Sequence, residues 1–439
     1  MSSVWSDNLS GEKFGVLKEN IKTDVLIIGG GIAGILTAYM LKERGVECTV
    51  VEADRICRGT TLNTTAKISF QHGLIYDKLI RSLGKERAGM YLLAHRDALN
   101  EYKRLSKDIK CDFTQLDSYV YSMVDRRKNE KEVEALNSLG AKAEFSDTSA
   151  LPFETAGAAR VFEQAQFNPV KFAFALAKDL SVYENTKVKE IMPGKAFTEC
   201  AEISYKKAVV ATHFPFINKH GMYFLKMYQH RSYVLGIEGA PCVQGMYVDD
   251  DIKGLSFRNC KNLLLVGGGG HRTGKKGGSY MELEKFVSKF YPDATIRYRW
   301  AAQDCMTLDG MPYIGKYSSR TPDLYVATGF NKWGMTSAML SGMILSDLIC
   351  ENHNEYAGLF SPSRGMLKPQ LAVNMLEAFL GLITPTAPRC PHLGCALKYN
   401  AAEHSWDCSC HGSRFSESGE IINNPATDDK KKMPIRKRS

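Results

Sequence analysis

The hydrophobic pattern near the start of the chain changes its period twice over a short distance. Residues 25–28 form a continuous apolar run, which is typical of a strand buried on both faces. A helix is predicted from Ile32 to Arg44, where Gly45 ends it, and a second apolar strand ends at Glu52. The order of strand, helix and strand predicts a βαβ unit.

Three glycines at GxGxxG spacing lie between the first strand and the helix. Gly29 permits a tight turn, Gly31 lets the backbone approach a pyrophosphate, and Gly34 lets the helix pack closely on the strand. The helix N-terminus offers free amides to the phosphates, and Glu52 is placed to bind the ribose hydroxyls. A glycine-rich turn in another α/β protein is the alternative, but the complete unit favours dinucleotide binding.

Other periodicities follow along the chain. Residues 76–150 contain amphipathic helical stretches, and residues 223–300 contain alternating, aromatic-rich runs that suit an antiparallel sheet. We therefore predict the α/β class, with a Rossmann-like βαβ domain and an α+β substrate domain. The apolar run from Val25 to Leu41 is interrupted by four glycines, so we expect no membrane span.

Two cysteines and two histidines are spaced as CxH and CxxH near the other end of the chain. Cys390 and His392 form the first pair and Cys408 and His411 the second, with fifteen residues between the pairs. This pattern suits a two-iron cluster in which cysteines hold one iron and histidines the other. A structural zinc site is the alternative, although zinc knuckles prefer CxxC pairs.

The segment before Cys390 has a helical period of apolar residues. The recurring positions are Leu367, Leu371, Met375, Phe379 and Leu380. They predict a docking or linking helix within residues 361–387. This leaves little chain for strands ahead of the first ligand loop, so we expect at most a two-strand remnant of a supporting sheet, which would be marginal alone.

Composition adds limits on class and partners. The chain has 439 residues and a net charge of +9, but six basic residues lie in its last ten positions, so the body is close to neutral. A short basic tail is usually solvated, and we expect no nucleic-acid partner. The polar N-terminal stretch has no apolar signal region, and eight of the twelve cysteines are scattered singly. Both features predict a cytoplasmic protein.

Several segments downstream of Glu52 carry a family resemblance. They are "ADRICRGTTLNTTAKISFQHG", "KAVVATHFP" (207–215), "RWAAQDCMTLDGMPYIG" (299–315) and "DLYVATGFNKWGMTSAMLSGMILSDLI" (323–349). Together they resemble the D-amino-acid oxidase type of FAD-dependent oxidoreductase, which includes glycine oxidase and sarcosine oxidase. The resemblance implies an FAD cofactor and a small-molecule amine or amino-acid substrate.

The resemblance also implies which residues contact FAD. In order along the chain, they are Gly59, Thr60, Thr61, Ala66 and Lys67 in a loop that wraps the flavin after Glu52, then Val188, Ala211 and Thr212 beside the adenosine, and Gly329, Phe330, Gly334, Met335 and Thr336 at the isoalloxazine and ribityl chain. The last helix would direct its N-terminus at the flavin. The segment "VGGGGHRTG" (266–274) lacks the third glycine of an NADH site, which favours direct oxidation of an organic substrate.

In the resembled family, arginine and tyrosine on the antiparallel sheet bind the substrate carboxylate. The candidates here are Tyr228, His230, Arg231, Arg258, His271 and Arg299. An ordinary structural role is the alternative for each of them, and we assign no catalytic acid or base. Cys305 resembles the position at which sarcosine-oxidase-like proteins tether the flavin through a thioether, with a small buried core residue as the alternative.

Residues 388–428 resemble a Rieske [2Fe-2S] domain through "HLGC", "WDC", "CHGSRF" and "NNPAT". The resemblance makes Cys390, His392, Cys408 and His411 the iron ligands and pairs Cys395 with Cys410 in a disulfide. Ser413 stands where a hydroxyl donates to the cluster, whereas Phe415 replaces the tyrosine of high-potential relatives. We therefore expect a potential below that of respiratory Rieske proteins. Asn424-Pro425 replaces the usual Gly-Pro turn.

These patterns divide the chain into successive regions. They are a polar N-terminal tail (1–22), an FAD-dependent oxidoreductase region (23–360, with the FAD domain drawn from about 23–75, 150–212 and 300–350), a helical linker (361–387), the Rieske-type segment (388–428) and a basic tail (429–439). We expect oxidation of an amine-type substrate at FAD, with electrons passing through the cluster to an acceptor: a protein, a quinone or oxygen. An oxidase with an empty Rieske remnant and a redox-sensing or docking module are the alternatives.

Overall fold

The structure is a computed structural model that describes residues 2–9, 13–146, 150–385, 388–430 and 433. Part of the basic tail therefore lies outside the described residues. The strands are β1 (Ile21–Ile28), β2 (Cys48–Val51), β3 (Lys67–Ile68), β4 (Thr114–Ser122), β5 (Ala143–Ser146), β6 (Gly157–Gln166), β7 (Ser181–Tyr183), β8 (Glu190–Met192), β9 (Lys195–Phe197), β10 (Glu202–Val210), β11 (Met227–Glu238), β12 (Met246–Asp249), β13 (Ser256–Cys260), β14 (Leu263–Arg272), β15 (Thr295–Thr307), β16 (Tyr313–Ser318), β17 (Thr321–Thr328), β18 (Leu397–Asn400), β19 (Ser405–Cys408), β20 (Arg414–Ser416) and β21 (Ile421–Asn423).

The helices alternate with these strands through most of the chain. They are α1 (Ile32–Glu43), α2 (Tyr76–Leu83), α3 (Lys85–Leu105), α4 (Arg126–Ser138), α5 (Pro169–Ala177), α6 (Tyr223–Lys226), α7 (Tyr280–Phe290), α8 (Gly334–Ile349), α9 (Ala357–Phe360) and α10 (Pro369–Ile383). A short 3-10 turn (Ser6–Asn8) precedes β1.

The first sheet has the order β16-β17-β10-β1-β2-β7, and the β8–β9 hairpin joins it beside β10. The strands from β17 to β7 are parallel, whereas β16 is antiparallel to β17. Helices α1 and α8 pack against each other and bury apolar side chains in the main core. The predicted βαβ unit is therefore the centre of this sheet.

The second sheet is larger and mostly antiparallel. Its order is β15-β11-β14-β13-β12-β4-β6-β3, with β5 paired to β6. The long pairing of β11 with β15 and β14 forms one side of this sheet and carries several buried polar residues. The prediction of an α/β domain with an α+β substrate domain is confirmed.

The N-terminal stretch packs on the rest of the protein. Trp5 is buried, and its indole N–H donates to the Thr64 carbonyl over 2.7 Å. Leu17 is also buried, and β1 begins at Ile21. The tail predicted from the polar composition of residues 1–22 is thus partly incorporated into the fold, because two apolar side chains in it find sites in the core.

The third sheet belongs to the C-terminal segment and has the order β18-β19-β20-β21. Its strands are antiparallel and each contains only three or four residues. The expectation of a two-strand remnant is therefore wrong in number. The sheet is still small, and Trp406 and Phe415 supply much of its core together with the four cysteines.

Candidate functional site

A cavity of about 890 Å³ lies where four strands of the first sheet end. Gly29 follows β1, Ala211 follows β10, Gly329 follows β17 and Glu52 follows β2, and all four residues line the cavity. Ligands of open parallel sheets bind outside the carboxyl ends of the strands. The second sheet closes the cavity from the other side through residues such as Tyr233.

Most residues predicted to contact FAD come together in this cavity. Those that line it are Gly29, Gly31, Glu52, Gly59, Thr60, Thr61, Lys67, Val188, Ala211, Thr212, Cys305, Gly329, Phe330, Gly334 and Met335. Gly34, Ala66 and Thr336 do not line it. Thr336 is buried and hydrogen-bonds the Ser69 carbonyl and His72 Nε2, so its contact with the cavity wall is indirect.

The glycine turn has the shape that a diphosphate requires. Gly29 has φ +111°, and a side chain there would meet the Ala211 carbonyl oxygen at 2.6 Å. A side chain at Gly34 would collide with the Gly29 carbonyl, whereas the nearest atom to one at Gly31 is Thr61 Oγ1 at 3.5 Å. The space beside Gly31 is therefore open at the N-terminus of α1, where backbone N–H groups can receive an anion.

Glu52 is held by the same turn. Its carboxylate accepts hydrogen bonds from the Gly30 amide over 2.7 Å and the Asp54 amide over 3.1 Å. Burial raises the pKa of the Glu52 carboxyl despite these bonds. The backbone amides fix the carboxylate at the cavity edge, which is the position from which an acid can bind ribose hydroxyls.

Two further residues give the cavity its chemical character. Burial, with the nearby Arg258 charge, lowers the pKa of Lys67 to about 7, and its amine donates to Thr65 Oγ1 over 3.2 Å. Cys305 lines the cavity from β15 and its thiol contacts the His213 carbonyl at 3.5 Å. Burial raises the pKa of that thiol well above its usual value, so the sulfur is protonated.

None of the three arginines predicted to bind a substrate carboxylate is free to do so. Arg231 pairs with Glu403, Arg299 pairs with Glu284, and the Arg258 guanidinium donates to the Thr65 and Ala66 carbonyls. Each guanidinium has a partner elsewhere in the fold, so the expectation based on the family pattern is not met by these side chains.

The remaining substrate candidates also have structural surroundings. The Tyr228 ring lies 4.8 Å from the Arg272 guanidinium carbon, and His271 stacks on Tyr233. Burial lowers the pKa of His230 to about 3, and its Nδ1 has no hydrogen-bond partner in the described part of the chain. None of the three lines the cavity.

Acidic residues line the part of the cavity that the second sheet forms. They are Asp249, Asp250, Asp251 and Asp304, together with the amine of Lys332. Lys332 donates to Ser232 Oγ over 3.2 Å, and burial raises the pKa of Asp304 despite the nearby Lys332 charge. These residues were not predicted from the sequence, although the acidic run 249–251 lies within the segment predicted to form the antiparallel sheet.

The four predicted iron ligands come from two loops beside the third sheet. Cys390 and His392 lie before β18, and Cys408 and His411 lie at the end of β19 and just after it. A hydrogen bond from the Cys408 thiol lowers the pKa of Cys390, to which the Ser413 hydroxyl also bonds. The two histidine rings are 4.9 Å apart and nearly perpendicular. The two loops therefore meet.

The histidine nitrogens fit a cluster as well. The Nδ1 atoms of His392 and His411 are buried and have no hydrogen-bond partner among the described residues. His392 Nε2 instead bonds Asn218 Oδ1 over 2.9 Å, and His411 has a hydrogen bond to the Phe224 backbone. A ligating histidine uses one ring nitrogen for the metal and the other for a protein partner. Two sulfurs and two unpartnered nitrogens match the Rieske ligand set.

The neighbouring cysteine pair is not part of that ligand set. Cys395 and Cys410 form a disulfide, as the Rieske resemblance implied. Cys408 Sγ lies within 4.8 Å of both of these sulfurs, but bonded sulfurs are unavailable to a metal. The disulfide links the first ligand loop to the second.

The oxidoreductase region supplies the support that the small third sheet lacks. Gln229 on β11 donates from Nε2 to the His411 and Asn424 carbonyls over 2.9 and 3.0 Å. Gln303 on β15 donates to the Gly412 carbonyl over 2.9 Å. Both glutamines are buried. Asp304 and Cys305 follow Gln303 along β15, and Cys305 is paired with Gln229 across the two strands. Both residues line the cavity, so the two sites share a wall.

Charged groups fasten the same interface. Arg231 forms a bidentate ion pair with Glu403. Arg414 pairs with Asp407 over 2.9 Å and with Glu403 over 3.1 Å. All four side chains are almost wholly buried. The Asn424 amide also donates to the Thr212 and Phe214 carbonyls, both over 2.7 Å, at the cavity edge.

Among the helices that the structure describes, none has both the length and the apolar character needed to cross a bilayer. Comparison with known proteins addresses the family. Residues 24–348 match the FAD dependent oxidoreductase (DAO) model, and residues 372–434 match the Rieske [2Fe-2S] domain model.

Individual relatives agree with both matches. The chain is 32% identical to YhfW of Bacillus subtilis (strain 168), whose name describes a Rieske 2Fe-2S iron-sulfur protein, over 99% of this chain and 97% of the relative. It is 24% identical to gamma-glutamylputrescine oxidoreductase of Escherichia coli (strain K12), over 79% and 88% of the two chains.

Among solved structures, glycine oxidase from Geobacillus kaustophilus has a similar fold, with a TM-score of 0.67 and 18% identity over 78% of this chain and 99% of that one. The chain therefore belongs to the FAD-dependent oxidoreductases of the DAO family, binds FAD, and carries a C-terminal Rieske [2Fe-2S] domain.

Proposed function

We propose that the protein oxidises a small amine at FAD and passes the electrons through its Rieske cluster to an external acceptor. The observation that carries this proposal is the wall shared by the two sites. Gln303 donates a hydrogen bond to Gly412, the residue after His411. Asp304 and Cys305, which follow Gln303 on β15, line the cavity. A direct covalent and hydrogen-bonded path of this kind supports electron transfer between the cofactors.

The chemistry of the two cofactors is complementary. A bound flavin accepts two electrons from an organic substrate and can release them singly, whereas a [2Fe-2S] cluster carries one. The chain's own residues would hold both cofactors. Gly31 and Glu52 lie where they could bind the dinucleotide, and the unpartnered Nδ1 atoms of His392 and His411 could bind iron.

An amine-type substrate is favoured by the charge of the cavity. The carboxyl groups of Asp249, Asp250, Asp251 and Asp304 in its second-sheet half outnumber the Lys67 and Lys332 amines that also line it, and the predicted carboxylate-binding arginines are engaged elsewhere. Carboxylates attract an ammonium group and repel a substrate carboxylate. We therefore propose a cationic amine, in keeping with the name of the gamma-glutamylputrescine relative, rather than an amino acid recognised chiefly through its carboxylate.

The acceptor is proposed to be a one-electron protein or a quinone. Oxygen is the acceptor in the alternative, an oxidase whose cluster takes no part in turnover. We also propose a cytoplasmic location, because the eight cysteines outside the C-terminal cluster are free thiols in the described structure.

Anaerobic reduction tests the proposal. Amines and amino acids are screened with the full-length protein, and each sample that bleaches the flavin is frozen for EPR. We expect the rhombic spectrum of a reduced Rieske cluster after addition of an amine. In a His392→Ala control the flavin should still bleach without that spectrum. If the wild-type flavin bleaches while its cluster stays oxidised, the oxidase alternative is correct.

A further inference from the structure

Helix α10 (Pro369–Ile383) has its polar and apolar faces the opposite way round from an ordinary surface helix. The side facing the protein carries Gln370, Asn374, Glu377 and Gly381. The residues facing solvent are Ala372, Val373, Met375, Leu376, Phe379, Leu380, Leu382 and Ile383. A surface helix normally buries its apolar stripe and exposes its polar one.

The inward face is fixed by specific contacts. Asn374 accepts from the Arg272 guanidinium over 3.0 Å and donates to the Leu225 carbonyl over 3.2 Å. Glu377 pairs with Lys275, and Gly381 packs so closely on the disulfide that a side chain there would meet Cys410 Sγ at 2.5 Å. Rotating the helix to bury its apolar face would break all of these contacts.

The outward face is therefore an exposed apolar surface, here called the α10 patch. Its seven large side chains, Val373 to Ile383, are between 42% and 58% exposed. No outward residue of the helix carries a charge. Leu393 extends the patch onto the first ligand loop and is 42% exposed. Seven large apolar side chains exposed side by side on one helix mark an interaction site.

The α10 patch borders the first ligand loop. A Cβ atom on Gly394 would lie 3.9 Å from Leu382 Cδ2. Gly394 is two residues after the predicted ligand His392. Arg389, in the same loop, donates to the Gly381, Leu382 and Thr384 carbonyls at the end of the helix. Whatever covers the patch is therefore placed beside the ligand loop.

We propose that the α10 patch binds the surface of a bilayer that contains anionic lipid. An apolar helix face without polar groups suits the acyl boundary, whereas an interface between two proteins needs a polar rim and hydrogen bonds to set its register. Charge points the same way. Six basic residues lie in the last ten positions of the chain and account for most of its net charge of +9, and Lys368, directly before α10, is exposed.

These charges attract anionic headgroups and disfavour a second copy of the same chain. A short basic tail is by itself usually solvated, but here it accompanies an exposed apolar helix face. Binding through α10 is independent of substrate and turnover, so it stands or fails separately from the proposed activity.

Vesicle flotation tests the inference with the full-length protein. Vesicles of phosphatidylglycerol in phosphatidylcholine should carry the wild type upward, with weaker binding to phosphatidylcholine alone and at high salt. The variant Leu376→Gln, Phe379→Gln should bind at least roughly tenfold more weakly, because two large apolar side chains no longer enter the lipid. Both positions are exposed, so folding and flavin absorbance should not change.

A matched pair of methionines gives the control. Met375 in the patch and Met281 on α7 are 55% and 58% exposed. Met375→Gln should weaken flotation, whereas Met281→Gln should not. The inference is overturned if the wild type does not float, or if the double variant floats equally well. It is also overturned if sedimentation shows a dimer that the double variant abolishes, because a second copy then covers the patch.

Discussion

Removing the Gln303 side-chain amide should selectively loosen the second ligand loop, which contains Cys408 and His411. Gln303 is buried, and its Nε2 donates to the Gly412 carbonyl over 2.9 Å and to Gln229 Oε1. Its own carbonyl accepts from Thr273 Oγ1 over 3.1 Å. The substitution Gln303→Met keeps the length of the side chain and removes all three hydrogen bonds.

The size of the effect follows from the groups left unpaired. A buried polar group without a partner costs about 1–3 kcal/mol, and Gly412, Gln229 and Thr273 each lose one bond. Gln229 keeps its two bonds to the His411 and Asn424 carbonyls, so the loop is weakened and not released. At the lower end of the range the loss is about 3 kcal/mol, which corresponds to roughly a hundredfold change in an opening equilibrium.

Amide hydrogen exchange measures that equilibrium directly. The Gly412 N–H donates to the Cys408 carbonyl and the Cys408 N–H to the Ser413 carbonyl, both over 2.9 Å. Exchange at these amides should become roughly a hundredfold faster in the variant if the second sheet, through Gln303, supports the second ligand loop. Amides of β1, in the core of the first sheet, should be much less affected.

A buried glutamine away from the cluster serves as the control. Gln164 donates to the Phe162 carbonyl and accepts from the Phe70 amide, and neither partner belongs to the C-terminal segment. Gln164→Met should destabilise the protein without a selective effect at Gly412. If both variants leave the Gly412 amide equally protected, the loops stand on their own small sheet and the reasoning is refuted.

Three other predictions concern the ion pairs, the buried histidines and the cluster potential. Arg231→Met should lower the free energy of unfolding by about 3–5 kcal/mol, since it leaves the buried Glu403 carboxylate short of a partner. Arg231→Met combined with Glu403→Leu should recover much of that loss in denaturant unfolding, and an additive double loss would contradict the pairing. Burial lowers the pKa of His95 far below its ordinary value. Its unfolded form gains a proton as the pH falls below about 6.5, so the folded state should lose about 2 kcal/mol by pH 5. His95→Phe should remove that part of the loss, and an unchanged pH profile in thermal unfolding would count against it. Phe415 is buried beside the cysteines, and Phe415→Tyr should raise the cluster potential by about 40 mV, the equivalent of one hydrogen bond of about 1 kcal/mol. Ser413→Ala should lower it by a similar amount in protein-film voltammetry, and equal potentials in all three proteins would exclude the role given to these hydrogen bonds.

Local patterns accounted for much of the architecture. The turn at Gly29 depends on residues within one βαβ unit, so the spacing of glycines and apolar positions was sufficient to predict it. The ligand pairs at Cys390 and Cys408 were also visible, since each lies within a few residues of its histidine. The resemblance supplied the disulfide between Cys395 and Cys410, which the structure contains.

The contacts between the two sites could not be read from the sequence in the same way. Gln229 and His411 are 182 residues apart in the chain, and Arg231 and Glu403 are 172 apart. Arg231 resembled a substrate ligand because the residue type and strand fitted the family pattern, but its charge is used to hold Glu403. Nothing in the local sequence distinguishes the two uses.

Helix α10 shows a different limit. The period of Leu367, Leu371, Met375 and Phe379 correctly predicted a helix, but periodicity gives no direction. The structure buries Asn374 and leaves Met375 and Phe379 exposed. A polar side chain with a specific partner and a glycine pressed against a disulfide determine which side of the helix faces inward.

The most direct test of electron transfer from the flavin to the cluster is a rapid-mixing measurement. The oxidised protein is mixed anaerobically with an amine that bleaches the flavin, and samples frozen at successive times are analysed by EPR. We expect the signal of the reduced Rieske cluster to grow as the flavin passes electrons to it, and Gln303→Met to slow this growth. A flavin that stays fully reduced beside a cluster that stays oxidised would contradict this expectation.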